Sequence, residues 1–392
     1  MSGEESANWT QRYATSLMNT FGAPKLVLDR GDGARVWDVD GNEYLDLLGG
    51  IAVNVLGHNH PAIVQALCEQ APKLIHTSNF FTTSPQVELA ERLLGLVGAE
   101  GRVFFTNSGT EANEAAFKLT RRTGRTKVVA AHDGFHGRSM GALALTWKPA
   151  YREPFEPLPG DVEFVPYGDA DALAAAIDDD TAAVVLESMQ GEAGAIVPPD
   201  GYLAAARSAT TKHGALLWVD EVQTGIGRTG DWFGYQSSGI TPDVVTVAKG
   251  LGGGVPIGVC IALGSAGEML QPGNHGTTFG GNPLATSVGL AVLDTIEKDG
   301  LREHASSLGE RIRTGLTGLP HVTDVSGRGL LIGAGLDAEI APAVHDAALA
   351  AGLIINACGP TRLRLAPPLV LTNDQADRAV AVLADVLAKA QP

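Results

Sequence analysis

A lysine closes an apolar run and opens a glycine-rich one in Val244-Val245-Thr246-Val247-Ala248-Lys249-Gly250-Leu251-Gly252-Gly253-Gly254. Strand-forming residues deliver its ammonium group into a segment that other groups can approach closely. An amine so placed is partly desolvated, which favours the neutral, nucleophilic form and suits Schiff-base chemistry. Upstream, Ala215-Leu216-Leu217-Trp218-Val219-Asp220-Glu221 is a second apolar strand, and it delivers the carboxylate of Asp220. Pyridoxal phosphate (PLP) requires such a pair: an amine to hold its aldehyde and a carboxylate to pair with its pyridinium nitrogen.

Phosphate needs a cradle as well. Phe104-Phe105-Thr106-Asn107-Ser108-Gly109-Thr110-Glu111-Ala112-Asn113 reads as a strand, a turn and a helix start, so helix amides and the Ser108 and Thr110 hydroxyls could converge on an anion. Alone, the segment also reads as an ordinary N-cap. In His132-Asp133-Gly134-Phe135-His136-Gly137-Arg138, Phe135 can lie flat on a planar cofactor and Arg138 can grip a carboxylate with two hydrogen bonds. The competing reading is a core phenylalanine beside a solvated arginine, and His136 fits a structural role. After Asp220 the chain turns through Val222 and Gln223 past whatever that carboxylate contacts. The loop His275-Gly276-Thr277-Thr278-Phe279-Gly280-Gly281-Asn282-Pro283 sets hydroxyls among glycines before a helix. Glu192, in a loop after the strand ending at Glu187, and Arg364, alternating with apolar neighbours, could each be an exposed charge.

Short apolar runs alternating with amphipathic stretches indicate an α/β fold whose mostly parallel sheet is covered by helices. The strand candidates are 102–106, 127–131, 182–187, 216–220, 244–248 and 258–263. Residues 27–45, with two Asp-Gly turns, read as an antiparallel meander. From about residue 283 to 297 a long helix is expected, then another helix, two short strands around 322–335 and two further helices. The domain expectation is a large domain over 46–290 and a smaller α+β domain built from 1–45 and 291–392.

With 44 acidic against 28 basic residues, the 392-residue chain has net charge −16 and no basic stripe, which argues against nucleic acid as a partner. Cys68, Cys260 and Cys358 form no CxxC pair or disulfide framework; they read as buried small hydrophobes in a reducing compartment, and no metal is expected. No signal peptide or membrane-length apolar run is apparent, so the expected location is cytoplasmic. A dinucleotide-binding oxidoreductase would need GxGxxG after a strand, a spacing that Gly250-Leu251-Gly252-Gly253-Gly254 does not supply.

The runs NSGTEANEAAFK, FHGR, DEVQTGIGRTG, AKGLGGGVPIG and HGTTFGGNP, taken together, closely resemble those of the class III, fold type I, PLP-dependent aminotransferases. Within them the likeness is to the N-acetylornithine aminotransferases of arginine biosynthesis, over nearly the whole chain. The resemblance implies a large domain with a seven-stranded, mostly parallel sheet, and a homodimer with shared active sites. It implies that Lys249 holds PLP as an internal aldimine, Asp220 pairs with the ring nitrogen, and Phe135 and Val222 cover the two ring faces. Gln223 then reaches the ring hydroxyl, Gly109 and Thr110 bind the phosphate, and Thr278 reaches the phosphate in the other subunit. Arg138 holds the acetylornithine carboxylate with Thr277 nearby, while Glu192 and Arg364 pair or separate to suit the substrate.

The implied reaction is ping-pong transamination: N2-acetylornithine gives N-acetylglutamate 5-semialdehyde, and 2-oxoglutarate becomes glutamate. Succinyldiaminopimelate, ornithine and 4-aminobutyrate are the alternative donors, because a pocket gripping one carboxylate distinguishes long ω-amines poorly. Phe21 stands where many relatives carry a tyrosine near the substrate entrance, and Ser188-Met189 replaces a commoner proline-containing pair.

Overall fold

The computed structural model describes residues 3–391. Near the N-terminus, β1 (Leu28–Asp32), β2 (Arg35–Asp38) and β3 (Glu43–Asp46) form the expected antiparallel meander. The central sheet contains β4 (Gly101–Thr106), β5 (Lys127–Ala131), β6 (Asp161–Val165), β7 (Thr181–Glu187), β8 (Leu216–Asp220), β9 (Val244–Val247) and β10 (Gly258–Leu263). Their spatial order is β4-β10-β9-β8-β7-β5-β6, and only β10 runs antiparallel to its neighbours. This is the α/β architecture of fold type I enzymes, with the seven mostly parallel strands that the resemblance implies.

The middle strands explain why the sheet was legible. Every residue of β7, β8, β9 and β10 is buried, as both-face coverage by helices demands, so each strand is a nearly unbroken apolar run. Strand β6 lies at the edge with Asp161 and Glu163 exposed, and it is absent from the sequence-based set because its apolar residues only alternate.

Beyond the helix Pro283–Lys298 come the helix Leu301–Leu316, then β11 (Val322–Arg328) and β12 (Leu331–Leu336). The helix Ala341–Ala350 follows, then β13 (Leu353–Ile354), β14 (Asn356–Gly359) and β15 (Arg362–Leu365), then the helix Asn373–Lys389. Strand β13 pairs in parallel with β3, and β11-β12-β15-β14 form a separate antiparallel sheet. The last three strands were not expected from the sequence, since two to four residues give too short a pattern to read. The cysteine expectation holds only for Cys260: Cys68 is exposed on a helix that buries just Ile63 and Gln70, and Cys358 is half-buried. Among the described residues no helix is long and apolar enough to cross a membrane.

Leu217 is fully buried at the centre of β8, between two strands that are themselves covered on both faces. Leu217→Ala is expected to destabilise the fold by about 2–5 kcal/mol. Urea unfolding followed by far-ultraviolet circular dichroism checks this, and a loss below about 1 kcal/mol would contradict the packing described.

Candidate active site

The C-terminal edge of the parallel strands brings together residues far apart in the chain, as open α/β sheets do at their ligand sites. Asp220 ends β8 with Glu187 of β7 as its register partner on one side and Thr246 of β9 on the other. Lys249 follows β9 directly, the Phe135–Arg138 loop follows β5, and Ser108 follows β4. Around them lies a cavity of about 380 Å³ lined by Ser108, Gly109, Thr110, Asn113, Phe135, Arg138, Asp220, Val222, Gln223 and Lys249. This volume is within the ordinary range for small-molecule sites.

Asp220 is 3% exposed, so its charge has to be met by protein donors. One oxygen, Oδ2, faces His136 Nδ1 at 2.7 Å and accepts from Asn113 Nδ2 at 2.8 Å; Oδ1 accepts the Val222 amide at 2.9 Å. Burial opposes a charged His136, yet the hydrogen bond and charge of Asp220, with Glu187 adding to them, raise the imidazole pKa above its ordinary value. His136 Nδ1 thereby fixes the position of Asp220 Oδ2. Burial lowers the Lys249 pKa, Arg364 assists, and Glu192, Asp220 and Glu187 oppose. Lys249 also adopts a left-handed backbone with φ 42°, an arrangement of the kind stored at functional sites.

The first residues of the helix Gly109–Thr120 also line the cavity. Ser108 is its N-cap and accepts the Glu111 amide at 3.3 Å, while Thr110 Oγ1 accepts the Ser139 amide at 3.1 Å. Both hydroxyls accept from protein, which leaves each O–H to donate to an anion. Gly109 lies so near Val222 that a Cβ there would sit 2.7 Å from Val222 Cγ1.

Open helix amides, a donor-held carboxylate, an amine and apolar walls from Phe135 and Val222 match the anionic, cationic, electrophilic and flat parts of PLP. The buried Asn113 Oδ1, unpartnered among the described residues, adds an unfilled polar position in the same cavity. The residues therefore fit the cofactor.

A second cavity of about 750 Å³ shares the Phe135 wall and is lined by Lys25, Ile51, Trp147, Tyr151, Glu192, Asn356, Cys358 and Arg364, among others. Arg364 is not an exposed charge: it is 1% exposed and paired with Glu192 at 2.6 Å. Burial would raise the Glu192 pKa, but the Arg364 and Lys249 charges and the bonds from Arg364 and Gln223 lower it. Gln223 joins this group, accepting from Arg364 Nη1 at 3.0 Å. Arg138 is exposed, with its guanidinium carbon 3.5 Å from the Tyr151 ring centroid and no ion pair or hydrogen bond among the described residues.

Two sequence candidates lie apart from these cavities. Thr277 lines neither; its hydroxyl accepts the Gly280 amide at 3.1 Å and faces the Asn107 side chain at 3.4 Å. Thr278 sits in an exposed cleft beside Asn79 and Gln86. Phe21 is 93% exposed and lines neither cavity.

Sequence reasoning passed over three groups: Asn113, His136 as partner of Asp220, and Glu187. The last carried a usable signal, an acid ending a wholly apolar strand just as Asp220 does. It accepts the Phe135 amide at 3.1 Å and the Gly191 amide at 2.9 Å.

Fold and site together define a fold type I, PLP-dependent enzyme. The aminotransferase class-III family model matches residues 18–387, and the chain belongs to that family. It is 57% identical over 389 residues to the acetylornithine aminotransferase of Mycobacterium tuberculosis, covering 98% of this chain and 97% of that one. The N-acetylornithine aminotransferase of Stenotrophomonas maltophilia has a TM-score of 0.82 at 36% identity, over 94% of this chain and 97% of that one. The ornithine aminotransferase of Toxoplasma gondii, whose structure shows partial occupancy of PLP at its active site, gives 0.93 at 31%, over 98% and 94%.

Burial first, then the nearby Asp220 charge, raises the Glu187 carboxyl from 4.5 to about 7, with His136 and the Phe135 and Gly191 amides opposing. A pKa raised by folding contributes stability that is complete below 4.5 and lost as pH rises through about 7. Glu187→Gln should therefore flatten the fall in melting temperature across this window, as read by calorimetry in a pH series. Parallel wild-type and variant curves would contradict it.

Proposed function

We propose that the protein is an N2-acetylornithine:2-oxoglutarate 5-aminotransferase, a cytoplasmic homodimer acting in arginine biosynthesis. The full-length likeness to the mycobacterial acetylornithine aminotransferase carries this choice of substrate. Supporting it, the unpaired Arg138 guanidinium lines the same cavity as Lys249 and is suited to a substrate carboxylate.

In this reading Lys249 holds the cofactor aldehyde, Asp220 the ring nitrogen, and Phe135 and Val222 the ring faces. Gln223 meets the ring hydroxyl, and Ser108, Gly109 and Thr110 take the phosphate. PLP when bound supplies a carbonyl for the substrate amine and a ring that takes up the electrons left when a proton departs. The chain's own residues do the rest. Lys249 Nζ, its pKa lowered by burial, would carry the proton from the substrate carbon that bears the amine to the former aldehyde carbon of the cofactor. Asp220, fixed by His136 and Asn113, keeps a proton on the ring nitrogen. Arg138 orients the donor through its carboxylate, and Thr277, outside the cavity but next to its Asn107 wall, is the further substrate contact in this reading. Glu192 covers Arg364 while the donor is bound and withdraws when 2-oxoglutarate brings a second carboxylate.

Thr278 completes the phosphate site of a second copy. The exposed side chains of Phe80, Phe81 and Phe279, in the segments that form the Thr278 cleft and its loop, support an interface on that face. The proposed division is 1–45 and 291–392 for the small domain and 46–290 for the large one.

With 2-oxoglutarate as acceptor, kcat/KM should be highest for acetylornithine among acetylornithine, succinyldiaminopimelate, ornithine and 4-aminobutyrate. Arg138→Ala should lower the acetylornithine value about 10- to 100-fold, the worth of a charged hydrogen bond. A preference for free ornithine, or an indifferent Arg138 variant, would overturn the assignment.

A further inference from the structure

Arg364 is buried, and one guanidinium nitrogen accounts for most of its contacts. Nη1 donates to Gly191 O at 3.0 Å, Gln223 Oε1 at 3.0 Å and Glu192 Oε1 at 2.6 Å. Nη2 donates to Asn356 Oδ1 at 2.8 Å, and Nε has no partner among the described residues. Three of the four acceptors are therefore neutral carbonyl oxygens, and only Glu192 carries charge. Asn356 owes its place to the sheet: in the β14–β15 pair it stands opposite Arg364 in register. A one-residue slip would turn its side chain to the other face.

We infer that Asn356 is a specificity-determining positioning residue, holding the Arg364 guanidinium through a neutral oxygen so that one carboxylate can replace another on it. The inference rests on the reading of Arg364 as the site of the acceptor's second carboxylate. A buried cation is stable only with one compensating anion, which is Glu192 when the pair is closed and the substrate when it is open. The remaining contacts must orient the guanidinium without neutralising it. An amide at position 356 does this. An aspartate of the same shape would compensate Arg364 permanently, and the incoming dicarboxylate would meet a site with no net positive charge.

The donor has no use for this swap, because its carboxylate is assigned to Arg138. Changes at Asn356 should therefore separate the two half-reactions, which general damage to the fold would not do. Asn356 lies outside the cofactor cavity, so cofactor retention serves as the control for folding.

The test uses the PLP-loaded protein and glutarate, a five-carbon dicarboxylate with no keto group, titrated by calorimetry, alongside the acetylornithine half-reaction followed by cofactor absorbance. Asn356→Asp should weaken glutarate binding at least tenfold and raise KM for 2-oxoglutarate similarly, with the acetylornithine half-reaction within about twofold of wild type. Asn356→Ser, which loses the grip without adding charge, should fall between wild type and the aspartate variant. Equal losses in both half-reactions, unchanged glutarate affinity in Asn356→Asp, or a serine variant weaker than the aspartate one would each overturn the inference. Should wild type bind glutarate no better than Arg364→Gln, the assignment of Arg364 itself falls. That outcome is distinct from failure at Asn356 alone.

Discussion

Everything at this site depends on keeping one carboxylate charged where water cannot reach it. Asp220 is nearly inaccessible, so its oxygens have to be met by protein donors, and His136, Asn113 and the Val222 amide meet them. Those partners come from the loop after β5, from the helix after β4 and from the turn after β8. The constraint thus spans the sheet: the strand order must bring these C-terminal ends together before the charge can be held. The left-handed backbone of Lys249 is imposed within the same frame, directly after β9.

Charge compensation also organises the outer cavity. Arg364 is as buried as Asp220, and its pairing with Glu192 has the same physical origin. Its setting differs in one respect: Glu192 is partly exposed and sits on a loop, whereas Asn356, which also accepts from Arg364, stands on the paired strand β14. Gln223 lines the cofactor cavity and also contacts Arg364, so it links the two cavities beside their shared Phe135 wall.

The legibility of the sequence followed from burial. Strands covered on both faces, such as Leu216–Asp220 and Gly258–Leu263, announce themselves as unbroken apolar runs, and the residues at their ends inherit that clarity. Edge strand Asp161–Val165 and the short strands Leu353–Ile354, Asn356–Gly359 and Arg362–Leu365 have no such pattern, because their order comes from pairing across the sheet. Arg364 fits an exposed charge in the sequence for the same reason: a charge alternating with leucines looks like a surface face until the opposing strand and the Glu192 loop close over it. His136 and Asn113 were illegible as partners of Asp220, since 84 and 107 residues separate them from it and only the fold brings them close.

The central claim is that Lys249 is the residue that holds the cofactor. Borohydride reduction of the PLP-loaded protein, followed by proteolysis and mass spectrometry, tests it most directly. The reduced cofactor should be found on the peptide containing Lys249, with loss of the yellow colour. An adduct on any other lysine, or none at saturating PLP, would contradict the account.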